Sequence, residues 1–235
     1  MKKVSKKHQF QVDLRGVIDI LANHLYSTPN VFIRELLQNG CDAIQMRRQM
    51  VDAAFRGKIT VELVLPDNRG AEERPTLIVS DDGIGLTIDE VHQFLSTVGR
   101  SSKRDELFQS AGDFIGQFGI GLLSCFTVSE EISVITRSAN GDAKACRWDA
   151  FADGTYEVSE VSQEIEPGTT VYLRGRVGLD HLFSAQEIEN LMKKWGLLLP
   201  FQVTFRCGGN SNSLPPRALG SQSELPPRSK PSHAA

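Results

Sequence analysis

The sequence predicts an α+β fold, a two-layer sandwich in which a mostly antiparallel mixed sheet carries helices on one face. Three observations predict it. Helical periodicity dominates the early chain, and from residue 131 short segments of period-two alternation follow one another like the arms of hairpins. Capping boxes at Thr87-x-x-Glu90 and Ser184-x-x-Glu187 then mark where helices begin among those strands.

The elements follow in order. Asp13 can cap a helix that puts Leu14, Val17, Ile18, Leu21 and Leu25 on one face. Thr28-Pro29 opens a second, longer helix towards Ala54, with proline near the first turn, where helix starts accept it. Residues 58–65 place Ile59, Val61, Leu63 and Leu65 on one side, as a half-buried strand does, and 76–80 form the next strand. Thr87 caps a helix expected to end near Val98. A loop-rich stretch leads to an apolar helix around Leu122 to Phe126. Strands are predicted at 131–137, 143–149, 155–160 and 169–174. A helix from Ser184 to Trp195 and a last strand at 201–206 complete the body.

The composition belongs to an ordinary soluble domain. The 235 residues are 40% hydrophobic, 23% charged and 7% aromatic, with a formal net charge of -3. No apolar run approaches the roughly 20 residues that cross a bilayer, and the slightly acidic balance gives no electrostatic reason to bind nucleic acid or an anionic membrane. Cys41, Cys125, Cys146 and Cys207 are scattered without a CxxC pair, which argues against a zinc site. The basic start MKKVSKKHQF has no secretory apolar core, so a reducing cytoplasmic compartment is expected.

From Gly208 the chain holds five of the ten prolines and no aromatic residue, Val, Ile or Thr. Such a segment buries too little apolar surface to offset its ordering entropy, so residues 208–235 are expected to form a disordered tail or linker behind a folded body of residues 1–207.

Three clusters can carry chemistry. On the second helix, Glu35, Asn39 and Asp42 fall on one polar stripe, because steps of three and four residues return to the same side. A carboxylate beside an amide oxygen suits a hard cation such as Mg²⁺ and leaves a second carboxylate free as a base; taken alone, the cluster reads first as a plain solvated helix face. The second cluster is Asp81-Asp82-Gly83-Ile84-Gly85-Leu86 at a strand end. An acceptor-only carboxylate there can take a hydrogen bond from the exocyclic amine of adenine, whereas guanine offers a carbonyl at that place. By itself the motif is a weak signal, since a tight Asp-Gly turn needs no ligand. The third cluster, Gly116-Gln117-Phe118-Gly119-Ile120-Gly121-Leu122, opens a helix with exposed backbone N–H groups. It is a phosphate cradle or a hinge, with Ser101, Ser102, Lys103 and Arg104 upstream.

The order and spacing of these clusters, followed by Gly168-Thr169 before a strand, resemble one superfamily: the Bergerat-type ATPase fold of gyrase B, the heat-shock protein 90 chaperones, histidine kinases and the MutL mismatch-repair proteins. Tyr26-Ser27, Phe32-Ile33-Arg34-Glu35-Leu36, the Gly116–Gly121 loop and Leu199-Pro200-Phe201-Gln202-Val203 are most similar to the heat-shock protein 90 branch, over about residues 8 to 207. The resemblance implies an ATP-binding and ATP-hydrolysing N-terminal domain of a chaperone. Glu35 would activate the attacking water and Asn39 would ligate Mg²⁺. Asp81 would read adenine with support from Thr169 through water. Lys103 and the backbone from Gly116 to Gly121 would hold the phosphates, while Leu86 and Leu122 would line the nucleotide slot. Asp42, Gly85 and Thr97 complete the implied nucleotide site.

The same resemblance implies a mobile lid from about Gly99 to Gly116, and an N-terminal strand at 8–12 that exchanges between protomers of a homodimer. Client proteins are the implied partners; nucleic acid and membrane are not. Relatives receive an arginine from a following middle domain, so these 235 residues are expected to bind nucleotide and turn it over slowly or negligibly. Leu122 and Leu123 stand where the family usually has aromatic residues, Thr97 stands where many relatives have asparagine, and the lid is shorter than theirs. A MutL-like repair ATPase is the alternative, although that branch expects a Gly-Phe-Arg-Gly-Glu-Ala-Leu loop in place of Gly116 to Leu122. A non-hydrolysing nucleotide sensor is another, disfavoured because Glu35 and Asn39 are both present.

Overall fold

The computed structural model describes residues 30–66, 73–95 and 121–217, together with Gly16, which is helical. The expected helix behind Asp13 otherwise lies outside the described residues, as do the strand at 8–12, the lid, and positions Thr97, Lys103 and Gly116 to Ile120.

Eight strands form one sheet among the described residues: β1 (Lys58–Val64), β2 (Thr76–Asp81), β3 (Ser129–Arg137), β4 (Cys146–Phe151), β5 (Tyr156–Glu160), β6 (Gly168–Gly175), β7 (Gln202–Cys207) and β8 (Asn210–Leu214). Their order is β5-β4-β3-β6-β2-β1-β7-β8. Every pairing is antiparallel except β1 with β7, which is parallel. The expected mixed, mostly antiparallel sheet is present, and β4 is displaced from its expected place. Asn140 to Lys144 turn through Gly141 at φ +63°, so β4 begins at Cys146 and runs on to Phe151. Leu65 was expected on the buried side of β1, but the strand ends at Val64 and Leu65 is exposed.

Helix α1 (Val31–Met50) buries Phe32, Ile33, Leu36, Leu37, Gly40, Cys41 and Ile44, the stripe that a 3.6-residue period lays on one side. That stripe packs on β1 and β2. Phe32 stacks on Phe183 with ring centroids 6.1 Å apart, at the foot of α3 (Ala185–Gly196). Both rings are fully buried, and each burial is worth about 1.5–3 kcal/mol of transfer free energy.

The two expected capping boxes differ. At Thr87 both bonds form: the Thr87 hydroxyl accepts from the Glu90 N–H, and the Glu90 carboxylate accepts from the Thr87 N–H at 2.9 Å. At Ser184 only the hydroxyl accepts, from the Glu187 N–H at 3.2 Å, because the Glu187 carboxylate is taken by Asn30 Nδ2 at 2.9 Å. That diversion ties the start of α1 to the start of α3. After Thr87 one α-helical turn, α2 (Ile88–Glu90), widens into a π-helical turn over Val91–Leu95, and the expected end near Val98 lies outside the described residues. Val91 is buried there and His92 lies edge-on to Tyr156 of β5.

The tail boundary at 208 is corrected by the structure. Gly208 and Gly209, at φ +54° and +82°, make a two-residue hairpin loop of the type that left-handed residues permit, and Asn210–Leu214 pairs with β7 as the edge strand β8. Composition misjudged this piece because an edge strand gains its order from backbone hydrogen bonds to a strand already in place. It needs few apolar side chains of its own. Residues from 218 lie outside the described part.

Candidate functional site

The site residues converge where α1 crosses the ends of β2, β3 and β6. Asp81 is the last residue of β2 and pairs with Thr169 of β6. The approach of α1 at this point requires Gly40, since a Cβ there would lie 3.3 Å from Asp81 Cβ and 3.1 Å from Ile59 Cδ1. Asp81 is half-buried. Its Oδ1 accepts from the Gly83 N–H at 2.9 Å, and the Thr169 N–H also donates to the carboxylate. Burial pushes its carboxyl up to about 7; the Gly83 bond opposes that shift, the Asp82 charge adds to it, and the Thr169 bond opposes it.

The loop after Asp81 is held from two sides. The Ile84 N–H donates to the Ala43 carbonyl of α1 at 3.0 Å, and the Ala139 N–H donates to the Ile84 carbonyl at 2.7 Å. Gly85 has φ +63°, and a side chain on it would run into the Arg137 carbonyl. The sequence offered Gly85 as a place where a ligand approaches; within the fold it is first a place where β3 approaches. Leu86 is then fixed by a residue the sequence did not single out. Thr136, buried near the end of β3, accepts from the Leu86 N–H at 2.9 Å and donates to the Gly168 carbonyl at 2.9 Å. Its hydroxyl also lies 3.1 Å from Thr169 Oγ1. A hydroxyl has one proton to give, so the Thr169 hydroxyl is the donor of that last bond, and its remaining capacity faces outward as an acceptor. No local motif marks Thr136, because its role arises from the pairing of β3 with β6.

At the other end of the site stands Glu35, 9% exposed on the buried side of α1. Arg34 Nη2 donates to Glu35 Oε1 at 2.7 Å, and the Arg34 guanidinium lies over the Trp195 ring of α3, 5.6 Å from its centroid. Gly121 faces the same carboxylate; a Cβ there would be 2.7 Å from Glu35 Oε2. Gly121 precedes a 3-10 helix, Leu122–Thr127, whose Cys125 is buried beside Glu35. Burial first and the Glu35 charge second push that thiol upward.

The stripe expected of Glu35, Asn39 and Asp42 is therefore not uniform. Glu35 is buried, Asn39 is exposed one turn further on, and Asp42 is half-buried, with Oδ1 accepting from Gln38 Nε2 at 2.9 Å. The plain solvated-face reading fails for Glu35. Along α1, Glu35 and Gly40 are separated by about 7 Å at the helical rise of 1.5 Å per residue. Glu35 and the glycine that abuts Asp81 thus stand on one helix, while Asp81 and Thr169 stand on the adjoining strands β2 and β6. Leu86 and Leu122 are both half-buried against the core.

The family described as histidine kinase-, DNA gyrase B-, and HSP90-like ATPase matches residues 26–172. The chain is 30% identical to the chaperone protein HtpG of Gluconobacter oxydans (strain 621H), over 87% of this chain and 34% of that relative. It is 31% identical to HtpG of Methylobacterium nodulans, over 91% of this chain and 36% of the relative. It is also 30% identical to the mitochondrial TNF receptor-associated protein 1 homolog of Dictyostelium discoideum, over 91% and 30% respectively. The chain spans about a third of the length of these curated relatives. With the matched region covering the strand ends, α1 and the cleft between them, the chain belongs to the histidine kinase-, DNA gyrase B- and HSP90-like ATPases, as a nucleotide-binding ATPase domain of the HSP90 type.

Proposed function

We propose that the cleft between α1 and the ends of β2 and β6 takes ATP with its base at Asp81 and its terminal phosphate near Glu35. The observation that carries this reading is the burial of Glu35 on the helix whose Gly40 abuts Asp81, so that base recognition and phosphate chemistry share one support. Asp81 presents a carboxylate, and Thr169 presents the acceptor side of its hydroxyl. Two acceptors suit the exocyclic amine of adenine and oppose the carbonyl of guanine.

Glu35 orients a water and accepts its proton as that water attacks the terminal phosphorus. Arg34 fixes the carboxylate through its ion pair and its seat on Trp195, and Gly121 lets the backbone of the 3-10 helix come against it. Asn39 is exposed one turn from Glu35, and its amide oxygen is a hard donor that fits Mg²⁺ together with phosphate oxygens. When bound there, Mg²⁺ offsets charge on the phosphates. Asp42, Gly85, Leu86, Thr97 and Leu122 complete the nucleotide site, and Lys103 and the backbone from Gly116 to Gly121 hold its phosphates.

The relatives are named chaperones. We extend that activity to this chain as the N-terminal part of a homodimeric client-binding machine, in which residues 99–116 close over ATP. A reducing, cytoplasmic setting is consistent with four free cysteines, and no helix among the described residues is long and apolar enough to cross a membrane.

Calorimetric titration with ATP, ADP and GTP, with and without Mg²⁺, tests the reading. Adenine nucleotides should bind and GTP should bind at least about tenfold more weakly. Absence of adenine nucleotide binding would sink the assignment of the cleft, and equal affinity for GTP would remove Asp81 as the base selector.

A further inference from the structure

Arg47 lies in the last turn of α1, outside every motif that the sequence offers. Its guanidinium sits over the Phe55 ring, 4.0 Å from the centroid. From that seat Nη1 donates to the Asp82 carbonyl at 2.7 Å and reaches the Pro167 carbonyl at 3.4 Å. The two carbonyls flank different strands. Asp82 follows Asp81 out of β2, and Pro167 leads through Gly168 to Thr169 at the start of β6.

Asp81 opposite Thr169 is the last pair of the β2–β6 ladder. Beyond it no β2–β6 ladder bond joins the two chains, and the base-reading groups are themselves the last rung. The chains run close there: Gly168 is at φ +142°, and a side chain on it would meet the Asp81 carbonyl. A cation donating to one carbonyl from each chain closes that open end. Such charge-assisted bonds are stronger than neutral ones, and a guanidinium stacked on a ring has little freedom to leave them.

We propose that Arg47 is a positioning residue for base recognition: by bridging the Asp82 and Pro167 carbonyls it sets the spacing of Asp81 and Thr169, and with it the preference for adenine over guanine. The proposal rests on the reading of Asp81 and Thr169 as the base-recognising pair. Arg47 touches no nucleotide atom and acts through the two strand ends. Its effect is therefore on the ratio of affinities for two bases, which a general loosening of the fold would leave alone.

The test is calorimetric titration of the 235-residue chain with ATP and with GTP, both with magnesium chloride, for wild type, Arg47→Met, Arg47→Lys and Asp81→Asn, each checked by thermal melting. Arg47→Met keeps the aliphatic stem over Phe55 and loses both donors; its ATP-to-GTP preference should fall by about five- to tenfold. Arg47→Lys returns a cation to the carbonyls and should recover most of that preference. If Arg47→Met weakens both nucleotides alike, or neither, the proposal is overturned. Should Arg47→Met fail to fold, Phe55→Leu removes the seat without touching either carbonyl and decides by the same ratio: a fall supports the proposal and an unchanged ratio overturns it. The Asp81→Asn arm separates the two claims. If it leaves the ratio intact, the base-reading assignment fails and this proposal falls with it. If it collapses the ratio while Arg47→Met does not, Arg47 alone is refuted.

Discussion

A carboxylate in a partly closed cleft is useful only in the right protonation state, and Asp81 is where that condition binds hardest. Its carboxyl stands at about 7 in the fold against an ordinary 3.8, chiefly through burial. Between those values the folded chain keeps a proton that the unfolded chain has lost, so nucleotide-free stability should fall as pH rises from about 4 to 7 and then level off. Urea denaturation across that range checks it, and Asp81→Asn should flatten the profile. Binding runs the other way. An adenine amine needs the ionised acceptor, so ATP affinity should weaken by up to about tenfold per pH unit as pH falls below 7, a slope missing in Asp81→Asn. Glu35 separates binding from chemistry. Glu35→Gln should hold ATP within about threefold of wild type and lower phosphate release by at least about a hundredfold. Full retained turnover would remove Glu35 from its assigned role. These roles are legible in the residues because each depends on a side chain's own acceptor or base chemistry. Arg47 and Thr136 were not legible, because each acts by touching residues that are distant in sequence, and the same holds for the seat of Arg34 on Trp195.

At the scale of elements, the strand-to-loop junction after Asp81 depends on two glycines doing different work. Gly85 combines a left-handed backbone with the adjacent Arg137 carbonyl, so Gly85→Ala meets both strain and a backbone clash. The chain should lose at least about 2 kcal/mol of stability, measured by chemical denaturation. Gly121 is at an ordinary helical φ of -59°, so Gly121→Ala carries no conformational strain. Its new methyl would fall 2.7 Å from Glu35 Oε2 and must displace that carboxylate. Gly121→Ala should therefore melt near wild type while phosphate release falls; loss of stability with unchanged turnover would contradict the geometry. The sequence marked both glycines as flexible or ligand-facing. Their distinct duties come from what stands opposite them, β3 in one case and α1 in the other.

Across the whole molecule, the sheet reaches its outer edge through β8, whose residues are almost all polar and exposed. Truncation after Cys207 should bare the β7 edge, lower the melting temperature by roughly 5 °C and promote self-association, measured by thermal melting and size-exclusion chromatography. A truncated chain that melts like the intact one and stays monodisperse would show that β8 is dispensable. The fold class and most of the helices and strands were determined by the sequence, because amphipathic periods of 3.6 and 2 report directly which face of each segment must leave water. The three chemical clusters could be picked out as candidates too, since residue type and spacing along one helix or one turn limit what that local piece can do. Tertiary structure alone decided the rest. It turned Gly208-Gly209 from the start of a tail into a hairpin, diverted Glu187 from its own cap to Asn30, and buried Glu35 while exposing Asn39 on the same helix. It also brought Thr136 and Arg47 to the mouth of the cleft. Apart from the hairpin, whose partner is the adjacent strand β7, the deciding partner lies far along the chain, and a hydrogen bond between distant residues leaves no period in the sequence.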